Sequence, residues 1–228
     1  MNQAPEHVAI IPDGNRRFAR RLMKRPWKGH EWGVKKMKTV VQWAKELGIR
    51  IITFYSLSLE NLDKRPKREI RFLLDIARKE LDDIINNRDN FVHKNRIKLS
   101  FFGNLGRLPE DVQERIIKVK ELTKNYDRFY LNLALAYGGR QEIISSCRDI
   151  AAEVKRGRLE PENIDEFVFR NHLQTNGFPD PDLIIRTGGE RRISNFLPFQ
   201  CVYSELAFLD CFWPEMKKKD FVEAIEDY

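Results

Sequence analysis

The sequence predicts a single α/β domain spanning residues 1–228: a mainly parallel sheet of about six strands flanked by helices on both faces. Three observations carry this. Short β-branched, apolar runs alternate with longer stretches of helical periodicity along the chain. Most of these runs are apolar throughout, as strands covered on both faces are. No Pro/Gly/Ser-rich stretch divides the chain, and 228 residues suit one domain. With 42% apolar and 33% charged residues, the composition supports a core and is not that of a disordered chain.

The elements follow in order. His7 to Ile11 (HVAII) is a buried strand, and Pro12-Asp13-Gly14 begins the loop after it. Gly29 to Leu47 is a helix with Gly48 as its stop. Arg50 to Leu57 is a second strand. Ile70, Leu73, Leu74, Ala77, Leu81, Ile84 and Ile85 recur at helical spacing and mark the apolar face of a long helix. Ile97 to Phe102 is a third strand, ending at Gly103. Pro109 to Thr123 is a helix with proline near its start. Phe129 to Ala136 is a fourth strand, and Gly138-Gly139-Arg140 leads into a helix ending about Arg156. Asp182 to Ile185 is a short fifth strand, Ala207 to Leu209 a sixth, and a last helix starts at Lys217.

Several classes are excluded. There is no apolar run of roughly 18 residues, so no transmembrane helix is expected. Met1 to His7 is short and polar, unlike the start of a signal peptide. Cys147, Cys201 and Cys211 are odd in number and form no C-x-x-C pair; free thiols in a reducing cytoplasm fit better than zinc or disulfides. No internal repeat, Walker motif or G-x-G-x-x-G occurs.

The net charge of +7 is concentrated: seven basic residues and no acidic one lie between Arg16 and Lys28, and the rest of the chain balances at 34 of each sign. Such a patch on an otherwise neutral chain suits a compact anionic ligand better than nucleic acid. In parallel sheets ligands bind beyond the carboxyl ends of the strands. There this sequence places Asp13-Gly14-Asn15-Arg16-Arg17, Ser58-Leu59-Glu60-Asn61 with Arg65, Gly138-Gly139-Arg140, and Arg186 through Ser194. Glycine or a side-chain amide accompanies arginine in each loop, a combination suited to phosphates. Asp13 is either a turn-capping residue or a Mg²⁺ ligand. His30 is either a helix-start residue or a proton donor to a leaving phosphate. Glu205, taken alone, is a surface residue.

Taken together, HVAIIPDGNRR (7–17), SLEN (58–61) with Arg65-Pro66, YGGR (137–140), IRTGGERRISNF (185–196) and FWP (212–214) resemble the cis-prenyltransferases over nearly the full chain. The resemblance implies condensation of isopentenyl diphosphate with an allylic diphosphate in cis (Z) geometry, giving a polyprenyl diphosphate, with Mg²⁺ as cofactor. It makes Asp13 and Glu205 the metal ligands, Asp13, His30 and Asn61 catalytic, and Gly14, Asn15, Arg16 and Arg17 the loop around the allylic diphosphate. Ser58 then lies near the isopentenyl group, and Arg186, Arg192 and Ser194 hold the isopentenyl diphosphate. Phe18, Arg25, Leu59, Glu60, Leu62, Arg65 and Glu69 complete the implied substrate-binding set, with His30 shared. An apolar channel between the sheet and the helices at 32–47 and 70–85 would take the growing chain. A homodimer, at most transient contact with a membrane surface, and no nucleic-acid partner are implied as well.

The sequence departs from the bacterial form of the motifs at Arg16, where that form has glycine, and at Leu62, where tryptophan is common. Lys64 is an extra residue before Arg65, and Pro26 stands where an arginine is expected, with Arg25 its substitute. Two other readings stay open: a non-catalytic accessory subunit, and an enzyme of the same fold that couples prenyl units in another regiochemistry.

Overall fold

A computed structural model describes residues 4–228. Six parallel strands lie in the order β3-β4-β2-β1-β5-β6. They are β1 (His7–Ile11), β2 (Ile51–Ser58), β3 (Ile97–Phe102), β4 (Phe129–Tyr137), β5 (Leu183–Arg186) and β6 (Glu205–Phe208). The helices are α1 (Asn15–Arg21), α2 (Gly29–Glu46), α3 (Leu59–Lys64), α4 (Lys67–Asn86), α5 (Phe91–Lys94), α6 (Glu110–Thr123), α7 (Gly139–Lys155), α8 (Glu166–Asn171) and α9 (Lys218–Glu226).

Every residue of β1 is buried, because β2 and β5 pair with it on either side and helices or loops cover both faces. Its side chains alternate between two cores: Val8 and Ile10 join the larger one with α2, α4, α6 and α9, while Ala9 and Ile11 join a smaller one closed by Phe196 and Leu197. A buried polar thread crosses the central strands. His7 Nδ1 donates to the Pro179 carbonyl at 2.8 Å, the Thr53 hydroxyl donates to His7 Nε2 at 2.7 Å, and Asn132 donates to that hydroxyl at 3.1 Å. Each histidine nitrogen thus has one consistent role in the neutral ring, and burial pushes the His7 pKa down.

The chain leaves β1 toward β2 on one side and leaves β5 toward β6 on the other. Connections therefore diverge between β1 and β5, and the crevice that opens there is where ligands of such sheets bind. The β2–β4 ladder slips its register between Tyr55 and Ser58, bending the sheet at the same carboxyl end.

Two segments read as loops are helical. Asn15 starts α1 directly after the Gly14 turn, and Ser58 caps α3 by accepting from the Asn61 N–H at 3.0 Å. The sixth strand begins two residues earlier than its apolar stretch suggested. That shift has a functional consequence. Glu205 pairs in register with Leu183 at the amino end of the sheet, whereas Asp13 follows Ile11, whose partner Arg186 ends β5. Asp13 and Glu205 thus lie at opposite ends of the sheet, and one chain cannot bring both to one cation.

Candidate active site

Gly14 makes the turn from β1 into α1 at φ +103, in the left-handed region. A Cβ there would lie 2.8 Å from the Phe212 ring, so the turn packs directly on the 212–214 segment. The Asp13 carbonyl accepts from the Trp213 N–H at 2.9 Å and from the Thr187 hydroxyl at 2.8 Å. These bonds fix the backbone at Asp13 and leave its carboxylate free to face the crevice.

That carboxylate is a third exposed. Its Oδ1 accepts from the Gly14 N–H at 2.6 Å and lies 3.4 Å from Arg17; its Oδ2 accepts from Arg186 at 2.9 Å. Arg186 is 4% exposed and also donates to Ser194 Oγ at 2.7 Å and to the Arg192 carbonyl. The loop after β5 is thereby wrapped around its own arginine. Ser194, Asn195 and Leu197 hold positive φ within this wrap. The Arg192 side chain is exposed and paired with Glu190 at 2.5 Å.

On the other side of the crevice stands a cluster around Glu69, which is 1% exposed. Arg65 Nη1 donates to it at 3.1 Å, His30 Nε2 lies 3.2 Å away and Arg16 Nε 3.6 Å away. Burial works against the Glu69 charge, but the His30 contact and the Arg65 and Arg16 charges prevail and hold its pKa below the usual carboxylate range. Burial lowers the His30 pKa, opposed by its hydrogen bond with Glu69 and aided by the Arg65 charge. His30 is therefore neutral near pH 7. Asn61 belongs to this side too: its carbonyl accepts from the Arg65 N–H at 3.0 Å, where α3 turns toward α4.

Pro12 through Arg17, with Arg20, His30 and Arg65, line one pocket. Among the described residues, seven buried side-chain polar atoms lack a hydrogen-bond partner, and four of them belong to residues around this crevice: Asn15 Oδ1, Arg16 Nε (3.6 Å from Glu69, beyond hydrogen-bond reach), Arg65 Nε and Arg186 Nε. Three are guanidinium donors, which a bound polyanion would satisfy. α1 has no side-chain cap, so its first N–H groups add to the same positive field.

The pocket shares Pro12, Asn15 and His30 with a long apolar cavity between α2 and α4 on one side and the sheet on the other. Along α2 it runs from His30 to Val41, about 16 Å at the helical rise. Leu74, Ala77 and Ile84 of α4 and Leu131 and Leu133 of β4 form other walls. Lys38 and Glu80, 2.5 Å apart, join α2 to α4 beside it.

The expected residues divide as follows. Asp13, Gly14, Asn15, Arg16, Arg17, His30, Arg65 and Glu69 meet in one place, with Arg186 and Ser194 behind Asp13. Phe18 is turned away: it packs edge-on against Trp32 at 5.4 Å, in a groove between α1 and α2. Arg25 is exposed and lies over Trp27, outside the pocket. Leu59 is buried in the main core with Leu62 against it. Glu60 accepts from Asn195 at 2.8 Å and ties α3 to the loop after β5. Sequence reasoning missed Arg20, which lines the pocket one turn after Arg16, and Thr187, fully buried against Asp13. The spacing i, i+4 from Arg16 would have found Arg20 had α1 been read as a helix.

A parallel sheet whose arginine-lined pocket opens into an apolar cavity suits a class of enzymes whose substrates join an anionic head to a hydrocarbon tail. Residues 11–228 match the prenyltransferase family model described as undecaprenyl diphosphate synthase, and the chain belongs to this family of cis-prenyltransferases. It is 46% identical over 226 residues to the tritrans,polycis-undecaprenyl-diphosphate synthase (geranylgeranyl-diphosphate specific) of Methanopyrus kandleri, covering 99% of this chain and 82% of that one. It is 45% identical to the enzyme of the same description from Pyrococcus furiosus, covering 98% and 84%. Among solved structures, lavandulyl diphosphate synthase from Lavandula x intermedia, in complex with dimethylallyl diphosphate, superposes with a TM-score of 0.92 at 37% identity, covering 100% of this chain and 96% of that one. A probable undecaprenyl diphosphate synthase from Campylobacter jejuni gives 0.78 at 33%, covering 100% and 95%. The chain is thus a prenyltransferase, and no described helix is long and apolar enough to cross a membrane.

Proposed function

We propose that this enzyme condenses isopentenyl diphosphate onto an allylic diphosphate in cis geometry, in repeated rounds, and releases a polyprenyl diphosphate. The observation that supports this most is the junction at Pro12, Asn15 and His30, where the polyanion pocket meets the apolar cavity. An amphiphile with a charged head and a hydrocarbon tail fits across that junction. The archaeal relatives are named as geranylgeranyl-diphosphate specific, and we take that diphosphate as the primer here.

In this reading the primer's diphosphate lies against the first turn of α1, with Arg16, Arg17, Arg20 and Arg65 around it. Its tail enters the cavity. The isopentenyl diphosphate lies toward Arg186, Arg192 and Ser194. Departure of the allylic diphosphate leaves a carbocation, and the fixed guanidinium groups stabilise the charge that develops on the leaving group. His30, held neutral beside Arg65 and Glu69, assists that departure, and Asn61 takes part in removing the proton of the isopentenyl unit, which the departed diphosphate accepts.

Asp13 suits Mg²⁺: it offers a partly exposed carboxylate beside phosphate-binding arginines, the setting in which this cation bridges protein and substrate. Among the described residues no three His, Cys, Asp or Glu side chains form a metal cage, so Asp13 and substrate phosphates would be its ligands. When bound, Mg²⁺ neutralises charge on the leaving diphosphate. A homodimer is part of this proposal. β6 is an edge strand, and Val202 and Tyr203 just before it and Leu206 within it are 68%, 96% and 47% exposed, a face that a second copy would cover.

The deciding experiment is product analysis with labelled isopentenyl diphosphate, Mg²⁺ and a panel of allylic primers. Long-chain cis products primed by geranylgeranyl diphosphate are expected. No incorporation with any primer would leave the accessory-subunit reading standing. Short branched products would favour the other regiochemistry, which the similarity to lavandulyl diphosphate synthase keeps in view. The length of the cavity favours a long tail.

A further inference from the structure

The basic segment Arg16–Lys28 carries more charge than the pocket uses. Arg16, Arg17 and Arg20 line the pocket. Arg21 pairs with Glu215, and Lys28 pairs with Glu31 at 2.9 Å. Lys24 and Arg25 are exposed and have no carboxylate partner within 4.0 Å among the described residues. Nor are they isolated. Trp27 holds the Arg25 guanidinium over its ring at 5.6 Å and that of Arg68 at 5.2 Å. Arg68 is in the first turns of α4, where Lys67 and Arg71 are also exposed. Two basic segments thus meet at one tryptophan.

At the tip of the first segment are two apolar residues. Leu22 is 44% exposed and Met23 94%, the latter at φ +53. The turn is ordered: the Met23 N–H donates to the Arg20 carbonyl and the Lys24 N–H to that of Ala19, both at 2.9 Å. A closed turn therefore presents methionine and leucine to solvent, with free cations immediately after them. A funnel for small soluble anions would need the cations and has no use for the apolar pair. A surface with anionic headgroups above hydrocarbon uses both.

We propose that the Leu22–Met23 turn, with Lys24, Arg25 and the start of α4, docks the enzyme on membranes carrying anionic lipid. The apolar pair enters the headgroup–acyl boundary, and the cations meet the lipid phosphates. The turn leaves α1, which lines the pocket, and leads through Trp27 to α2, which lines the cavity. Docking there puts both parts of the site next to the phase from which a long-tailed substrate comes and to which its product goes. This motive rests on the function proposed above, but the binding is measured without turnover, so the two can fail separately.

The test is sedimentation of the full chain with vesicles of phosphatidylcholine alone and of phosphatidylcholine with one-third phosphatidylglycerol. Wild type should bind the anionic vesicles and leave the neutral ones. Lys24→Gln with Arg25→Gln should weaken partitioning roughly fivefold per cation removed. Leu22→Ser with Met23→Ser should also weaken it several-fold at unchanged charge. All four side chains are exposed, so the variants keep the fold, which a melting curve checks. Absence of wild-type binding overturns the proposal, as does binding that neither double variant alters. It also falls if the charge variant only raises KM for a short soluble primer in vesicle-free buffer, since the patch is then a substrate funnel.

Discussion

Glu69 shows how much of the site depends on one buried charge. It sits between Arg65, His30 and Arg16, and its neighbours are cationic or held neutral by burial. Glu69→Gln keeps the shape and removes the charge. Arg65, its side chain 19% exposed, then loses its anion, and a melting curve should show a loss of about 1–3 kcal/mol. Steady-state kinetics should show kcat falling at least about tenfold, because Arg65 and His30 lose their common anchor. Single residues were unevenly legible in the sequence. Asp13 and Arg186 could be read because they stand at the carboxyl ends of buried strands, and Ser194 because it falls in the glycine- and arginine-rich loop after β5. Arg25 falls outside the pocket because it lies past the end of α1, over Trp27, and Phe18 does so for a geometric reason. A loop can turn consecutive side chains toward one ligand, but a helix rotates each by about 100°, so Arg16, Arg17 and Arg20 share a face and Phe18 leaves it.

The element that hid this was α1. Its sequence, NRRFARR, has no apolar period, no capping side chain and no acidic first turn. The helix exists because Gly14 starts it and Trp32 and Phe212 hold it down: Phe18 packs on Trp32, and Arg17 and Arg21 lie over the Phe212 ring at 5.2 Å. Long periodic elements such as α2, α4 and α6 were legible within a few residues, since their apolar faces are written locally. The extent of β6 was not, because register with β5, rather than its own apolar residues, decides where it starts. That is also why Glu205 was assigned to the wrong end of the sheet for a site within one chain. The same dependence of α1 on its turn gives a prediction. Gly14→Ala needs φ +103 from an alanine and drives its Cβ against Phe212. A loss of about 1–3 kcal/mol is expected on thermal melting, with weakened binding of the allylic diphosphate by calorimetry.

For the whole molecule, the histidines make stability depend on pH in a defined window. His7 and His30 are buried and neutral, with pKa values lowered by burial from 6.5. In the unfolded chain both take up protons below that value while the folded chain does not. Their contribution is complete above about pH 6.5 and is lost as pH falls below it, by about 1.4 kcal/mol per pH unit for each histidine until its folded pKa is reached. Melting temperatures from pH 8 to pH 5 should be flat and then fall. His7→Gln should shallow the fall, leaving the part due to His30.

The place of β1 inside the sheet has a consequence for synthesis. The first strand made is completed only when β5 pairs with it, and Asp13 meets Arg186 across 173 residues of chain. At ribosomal speeds of about 5–20 residues per second, that interval is roughly 9–35 s. Through it, Val8 and Ala9 lack one neighbour and the Asp13 turn lacks Arg186, Thr187 and Trp213. Those contacts come from the last fifth of the sequence, so a nascent or broken chain has the arginines of α1 but no ordered carboxylate beside them. The Asp13 turn is thus completed only when the chain has been made through Trp213.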